Sequence, residues 1–370
     1  MKVTTRQDIL NFALNTVSKA INPNNTLPVL NNILIQAKED TLTFQATNLE
    51  IAITLNVKTT VEKEGAITAP AKLITSYINL LPNEEVVLET TEDLSISVSN
   101  NKSQTKIKGL KSDDFPSLPH IKDESVSFSV NAKKLEKAIN ETVFAASLNT
   151  TRPILSGVFI SAKDSELILA ATDSYRLAER KLQTDIPVEK EVSCIAPSRT
   201  MNELSKILSN FNKESVMITI SKNQILFEIE NIQLISRLIE GAYPEYTKII
   251  PSKAKTLVTV NTIDLSQALK RINLFARELN NSIHLETDSE AKKLIISTDE
   301  TKVGEAETKL DIEIDGENNK ISINSQYLLD VLSIKEGEKI VLEIDEKLSP
   351  VKVRPENNTE YVYIIMPLKV

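Results

Sequence analysis

The run "ATDSYRLAER" (171–180) gathers Thr172, Asp173, Ser174, Tyr175 and Arg176 within ten residues. Those side chains could serve as nucleophile, acid or base, and anion clamp, so hydrolysis with Ser174 attacking is the first chemistry to weigh. A serine nucleophile needs a positioned base. Only His120 and His284 could supply imidazole, and no histidine or lysine stands in an obvious relay with Ser174. The two histidines read as surface or turn residues, and with Cys194 they make no metal-ligand spacing. Phosphate-cradling loops are scarce for a simple reason. There are seven glycines in 370 residues, and neither G-x-x-x-x-G-K-[ST] nor G-x-G-x-x-G occurs. No cofactor and no metal are expected, and the common routes to catalysis are nearly closed.

A chain of 370 residues is too long for one ordinary core and long enough for two or three domains. Hydrophobic content of 41% beside 25% charged residues reads as soluble and globular. No apolar run approaches membrane-spanning length, and the start "MKVTTRQDIL" lacks the apolar core of a signal peptide. The single cysteine fits a reducing compartment. Cytoplasmic location with no membrane partner is the expectation. A net charge of −8 argues against a uniformly basic surface, but a local basic surface remains open.

The elements that must position this run repeat along the chain. "LNFALN" (10–15), "LEKAIN" (135–140) and "LSQALK" (265–270) align, each opening a helix after a short alternating strand. In the second copy Leu135, Ala138, Ile139, Thr142, Val143 and Ala146 fall on one helical face. The third copy predicts a helix over 264–277. "TLPVLNNILIQAKEDTLTFQATN" (26–48) matches "TRPILSGVFISAKDSELILAATD" (151–173) at a constant offset, and both read as hairpins. The third copy keeps only "KLIISTDE" (293–300). A strand leading into a second helix follows in each copy, then further strands. Prolines mark two exits, "DDFPSLP" and "AYPEYTKIIP". The fold class is therefore α+β, three repeated domains with two helices and antiparallel sheets each. Their expected bounds are 1–122, 123–253 and 254–370.

Taken together and in order, the threefold repeat, "TLPVL", "FPSLP", "ATDSYRLA", "YPEYTKIIP" and the terminal "YIIMPLKV" resemble the bacterial sliding clamps, the DNA polymerase III beta subunits. The resemblance covers the whole chain. It implies a DNA clamp fold, a head-to-tail homodimeric ring around double-stranded DNA, and a processivity factor without catalytic activity. The implied partners are DNA of any sequence, the replicative DNA polymerase, the clamp loader and other proteins carrying a clamp-binding motif. A ring that slides needs diffuse attraction to phosphate and no grip on bases. Lys72, Lys137, Arg199, Lys206, Lys270 and Arg271 on polar helix faces would supply it. Arg152 aligns with a family arginine that touches DNA, whereas Asn24 stands where some relatives carry another.

Partners of this family insert a short peptide rich in glutamine and leucine into a pocket. The resemblance places Leu155, Thr172, Ser174, Tyr175, Arg176 and Leu177 in that pocket. Pro244, Lys248, Ile249 and Pro350 join them, and Ile364, Ile365, Met366, Pro367 and Leu368 come from the chain end. Arg176 is expected to donate to peptide carbonyls, and Met366 to adapt to varied partners. Ser174-Tyr175 replaces a Gly-His common in relatives, and Asn280 stands near a family phenylalanine. Leu274 and Phe275 occupy dimer-interface positions. Two other classes stand beside this reading: a hydrolase using Asp173, Ser174 and Arg176, and a three-domain peptide-binding adaptor without DNA.

Overall fold

Alternating burial builds the first strand, Lys2–Arg6, in which Val3 and Thr5 point inward. It runs straight into helix α1 (Gln7–Val17), whose Leu10, Ala13, Leu14 and Val17 form the buried stripe. The same strand-to-helix step recurs twice, from Val126–Asn131 into α3 (Ala132–Thr142) and from Thr256–Asn261 into α5 (Thr262–Ala276). The intervening second helices are α2 (Ala71–Leu80), α4 (Ser198–Leu208) and α6 (Ser325–Ile334). The threefold order of elements thus follows the repeat. α5 starts two residues earlier than periodicity suggests because Asn261 caps it, its Oδ1 accepting from Ile263 N and Asp264 N.

The computed structural model describes residues 1–22, 27–121, 124–149, 151–302, 304–334 and 337–369. Asn24, and Lys122 and Asp123 at the first expected domain boundary, lie outside the described residues. Contacts group the chain into two compact units. The first comprises 1–135, 184–192 and 203–238, and the second 136–183, 193–202 and 239–370.

In the first unit, a five-stranded sheet runs Val61–Lys63, Lys2–Arg6, Glu85–Thr90, Ser95–Ser99, Gln104–Lys108. An eight-stranded sheet joins four strands of the first repeat to four of the second, through Ile232–Arg237 lying antiparallel to Ile51–Lys58. Helix α1 packs on α2 and on this sheet. In the second unit, a seven-stranded sheet carries Gly157–Thr172, Arg176–Pro197, Tyr361–Ile365 and Val351–Pro355 in that order, with third-repeat strands beyond. A four-stranded sheet runs Glu307–Asp311, Lys293–Ser297, Ser282–Asp288, Lys320–Asn324, and α5 packs on α6. The large sheets run across the repeats because continuing a sheet pairs an edge that would otherwise stand open. No described helix is long and apolar enough to cross a membrane.

Repeat symmetry extends to backbone detail. Asn32–Lys38 and Thr41–Thr47 pair as the expected hairpin, with Glu39 at φ 54. The second copy is one extended run, Gly157–Thr172, in which the matching residue Asp164 has φ 52.

Candidate protein-binding site

The run that opens the question of chemistry is a turn. Thr172 Oγ1 donates to Arg176 O (2.6 Å) and accepts from Ser174 N (3.1 Å). Asp173 Oδ1 accepts from Tyr175 N (2.9 Å) and Arg176 N (3.0 Å). The first repeat builds the same turn: Thr47 Oγ1 bonds Ile51 O and Leu49 N, and Asn48 Oδ1 accepts from Glu50 N and Ile51 N. Ser174 and Leu49 share a left-handed backbone, φ 80 and 74. Side chains of Asp, Asn and Thr that bond their own backbone in this way make turns. Asp173 is spent on structure, and Ser174 has Arg152 Nη1 at 3.3 Å as its side-chain neighbour. The hydrolase reading has no base here.

What the second copy adds is Arg176, where the first has buried Ile51. Its Nε donates to Asp173 Oδ2 (2.9 Å), Nη1 to Asp330 Oδ2 on α6, and Nη2 to Phe144 O (3.0 Å). The guanidinium also lies over the rings of Tyr327 (4.8 Å) and Phe144 (5.5 Å). Burial works against its charge, but Tyr363 and the carboxylates of Asp330 and Asp173 outweigh it, so the pKa lies above the ordinary arginine value. Three of the five guanidinium N–H groups thus have protein acceptors, which ties Arg176 to Asp173, Asp330 and Phe144. Asp330, Tyr327 and Phe144 escaped the sequence reading; Arg176 and Asp330 are separated by 154 positions, with no local signal linking them.

Several of the expected pocket residues are brought together by the fold. Arg176 and Leu177 pair with Ile365 and Ile364 on adjacent antiparallel strands. Leu177, Ile364 and Ile365 are fully buried and Leu155 nearly so. Leu177 and Ile364 cluster with Ala170 and Tyr246, and Met366 packs against that cluster from a half-buried position. Beyond Ile365 the chain end stays pinned, with Met366 N on Tyr175 O (2.9 Å) and Leu368 N on Ser322 O (2.8 Å). Pro367 and Leu368 are half-buried, and Ser174, Tyr175, Pro244, Lys248 and Ile249 are exposed. Lys248, Ile249 and Pro350 line a groove of about 530 Å³ with Ile250, Pro251 and Asp345.

The aromatic residues of "YPEYTKIIP" carry more than the sequence reading gave them. Tyr243 stacks on Phe159 (centroids 5.1 Å), and Tyr246 meets both edge-on at 6.2 Å. The Tyr246 hydroxyl donates to buried Glu179 at 2.6 Å. Burial first, then the Glu179 charge, pushes the Tyr246 phenol above its usual value. The hydroxyl therefore stays a donor at neutral pH.

Three family models for the DNA polymerase III beta subunit match in sequence order: the N-terminal domain over 1–119, the central domain over 129–245 and the C-terminal domain over 247–369. The chain belongs to the DNA polymerase III beta subunit family. The beta sliding clamp of Bacillus subtilis is 33% identical over 378 residues, covering all of both chains. That of a Staphylococcus epidermidis strain is 34% identical over 379 residues, covering 100% of this chain and 99% of the relative. The crystal structure of the Bacillus subtilis clamp matches with a TM-score of 0.93 at 33% identity, over 100% and 99% of the two chains. The DNA polymerase III subunit beta of Pseudomonas aeruginosa gives 0.94 at 26% identity over 100% of each. As a sliding clamp the chain is a processivity factor of DNA replication and not an enzyme.

Positions expected to meet DNA in a clamp are mostly exposed: Lys72 on α2, Lys137 on α3, Lys206 on α4, and adjacent Lys270 and Arg271 on α5. Lys206 is paired with Glu203 (2.9 Å), and Arg199 is half-buried. Arg152 is exposed but leans on Ser174 of the turn. At the interface positions, Leu274 is 63% exposed and Phe275 is partly covered. Asn280 adopts a left-handed backbone after α5, which asparagine tolerates well, and its carbonyl accepts from Asn324. His284 corrects the expectation of a surface or turn histidine. It sits within strand Ser282–Asp288, with Nδ1 2.8 Å from Ser322 Oγ and Nε2 3.0 Å from Asp299 Oδ1. This Ser–His–Asp line offers no accessible nucleophile, because Ser322 is buried.

Proposed function

We propose that two copies of this chain close head to tail into a ring around duplex DNA, each copy divided into clamp domains 1–122, 123–253 and 254–370. The observation that carries the closure is a pair of free sheet edges. Among the described residues, Gln104–Lys108 ends the five-stranded sheet with exposed Lys106 and Lys108, and Glu307–Asp311 ends the four-stranded sheet with exposed Glu307, Lys309 and Asp311. Two unpaired edges are closed when one edge joins the other on a second copy. Exposed Leu274 supports the same face, since α5 packs beside Glu307–Asp311.

Exposed helix cations (Lys72, Lys137, Lys206, Lys270 and Arg271), together with half-buried Arg199 and the exposed loop residue Arg152, give sequence-independent attraction to phosphate. Partners dock on the face built by Thr172–Leu177, Pro244–Ile249, Pro350 and Ile364–Leu368, over the floor of Leu155, Leu177 and Ile364. Those partners are the replicative polymerase, the clamp loader and other proteins with a clamp-binding peptide, working in the cytoplasm. Sedimentation at micromolar concentration tests the ring: a dimer is expected, held on closed circular DNA after loading and lost when the circle is cut. A strictly monomeric protein would overturn the proposal.

A further inference from the structure

Arg176, on the partner face, is tied by an ion pair to helix α6, and that helix supplies a residue with no place in the pocket itself. We propose that Asp330, on α6, is a positioning residue for partner-peptide binding, acting through Arg176; the inference rests on the peptide-site reading above. Asp330 divides its carboxylate: Oδ2 takes Arg176 Nη1, and Oδ1 takes Gln326 Nε2 at 2.7 Å one helical turn away. Gln326 therefore fixes the carboxylate in the orientation that holds the arginine.

The comparison within the chain shows what this tie adds. In the first repeat the turn Thr47–Ile51 closes with identical backbone bonds, yet Asn48 Nδ2 is buried with no hydrogen-bond partner among the described residues. In the second repeat the equivalent atom, Asp173 Oδ2, takes Arg176 Nε, and the arginine goes on to Asp330 and to Phe144 O. A local turn becomes a tertiary joint between Thr172–Arg176, Val143–Ala145 and α6. The other wall is tied to the same helix. Tyr363, two residues before Ile365, donates to Tyr327 O (3.0 Å) and stacks on Phe144 with centroids 5.5 Å apart. Both strands that face a peptide are thus referenced to one helical turn, Gln326–Asp330, and only Asp330 holds the first of them by charge. Charge-assisted bonds around a half-buried guanidinium are the strong kind, and preorganised walls lower the cost of ordering on binding.

The test uses the full-length protein and a fluorescein-labelled synthetic peptide of glutamine, leucine and phenylalanine, read by anisotropy. Asp330→Ala and Asp330→Asn should weaken binding about fivefold or more, while Asp330→Glu retains most of it, which a loss of helix packing would not explain. In an Arg176→Ala background the same Asp330 changes should have no further effect, because the position acts through the arginine. Asp330→Ala with unaltered affinity, or an effect that persists without Arg176, would overturn the proposal. Failure of the unsubstituted protein to bind the peptide would instead overturn the site reading beneath it, a distinguishable result.

Discussion

Replacing Tyr246 with phenylalanine removes one oxygen and should destabilise the second unit by about 2 kcal/mol. The hydroxyl is the donor to Glu179 Oε2 at 2.6 Å, and both residues are buried, at 7% and 6% exposure. The phenylalanine ring keeps the edge-on contacts with Phe159 and Tyr243, so packing is preserved and the lost term is the hydrogen bond. A bond to a charged group contributes roughly 1.5–3 kcal/mol, and leaving the carboxylate unpaired in the interior adds to the cost. For a unit of this size, about 2 kcal/mol lowers the melting temperature by roughly 4–8 °C. Circular dichroism during urea or thermal unfolding is the assay, since the chain has no tryptophan. The decisive control is Tyr246→Phe with Glu179→Met. If the cost lies in the stranded carboxylate, the double variant recovers most of the loss, because removing both partners spares the unpaired group. An unchanged midpoint for the single variant, or a double variant at the sum of two losses, would refute the reasoning. Because Tyr246 packs with Leu177 and Ile364, peptide affinity should fall with stability.

Three further outcomes follow from the geometry. Met366→Ala removes a half-buried, adaptable side chain from the partner face and should weaken peptide binding about fivefold by anisotropy; equal affinity would remove Met366 from the site. Leu274→Asp replaces an exposed apolar side chain of α5 with a charge and should shift sedimentation toward monomer, with circular dichroism unchanged. Burial pushes the Cys194 thiol up to about 12. The native state therefore holds that proton more tightly than the unfolded chain, so the stability tied to it is present below about pH 9 and falls between about 9 and 12. Cys194 is half-buried, so its raised pKa and not inaccessibility alone should make it react more slowly with a disulfide reagent at pH 8 in the native protein than in urea; equal rates would contradict the raised pKa.

Repetition made most of this fold legible, and the same property hid the part that matters for partner binding. Leu10, Leu135 and Leu265 are all essentially fully buried, as three copies of one helix require, and the Thr-Asx pairs at 47–48 and 172–173 close turns with matching bonds. Periodicity reads such features because each depends on neighbours a few residues away. It could not show the acceptors that Arg176 finds within the protein: Asp173 lies in the same turn, but Phe144 and Asp330 come from elements far along the chain. Nor does alternation separate a pocket's floor from its rim. Leu177 and Ile364 pair across adjacent strands and vanish into the core, while Tyr175, one residue outside the strand, stands 63% exposed. Sequence draws attention to Ser174–Leu177 because the repeat breaks there. Which atoms are left to meet a peptide depends on what the protein has already used. Here Arg176 is bonded to Asp173, Phe144 O and Asp330, and Tyr175 N, Tyr175 O and Met366 N are likewise bonded within the protein, which leaves the side chains of Tyr175 and Met366 as the groups still open to a partner.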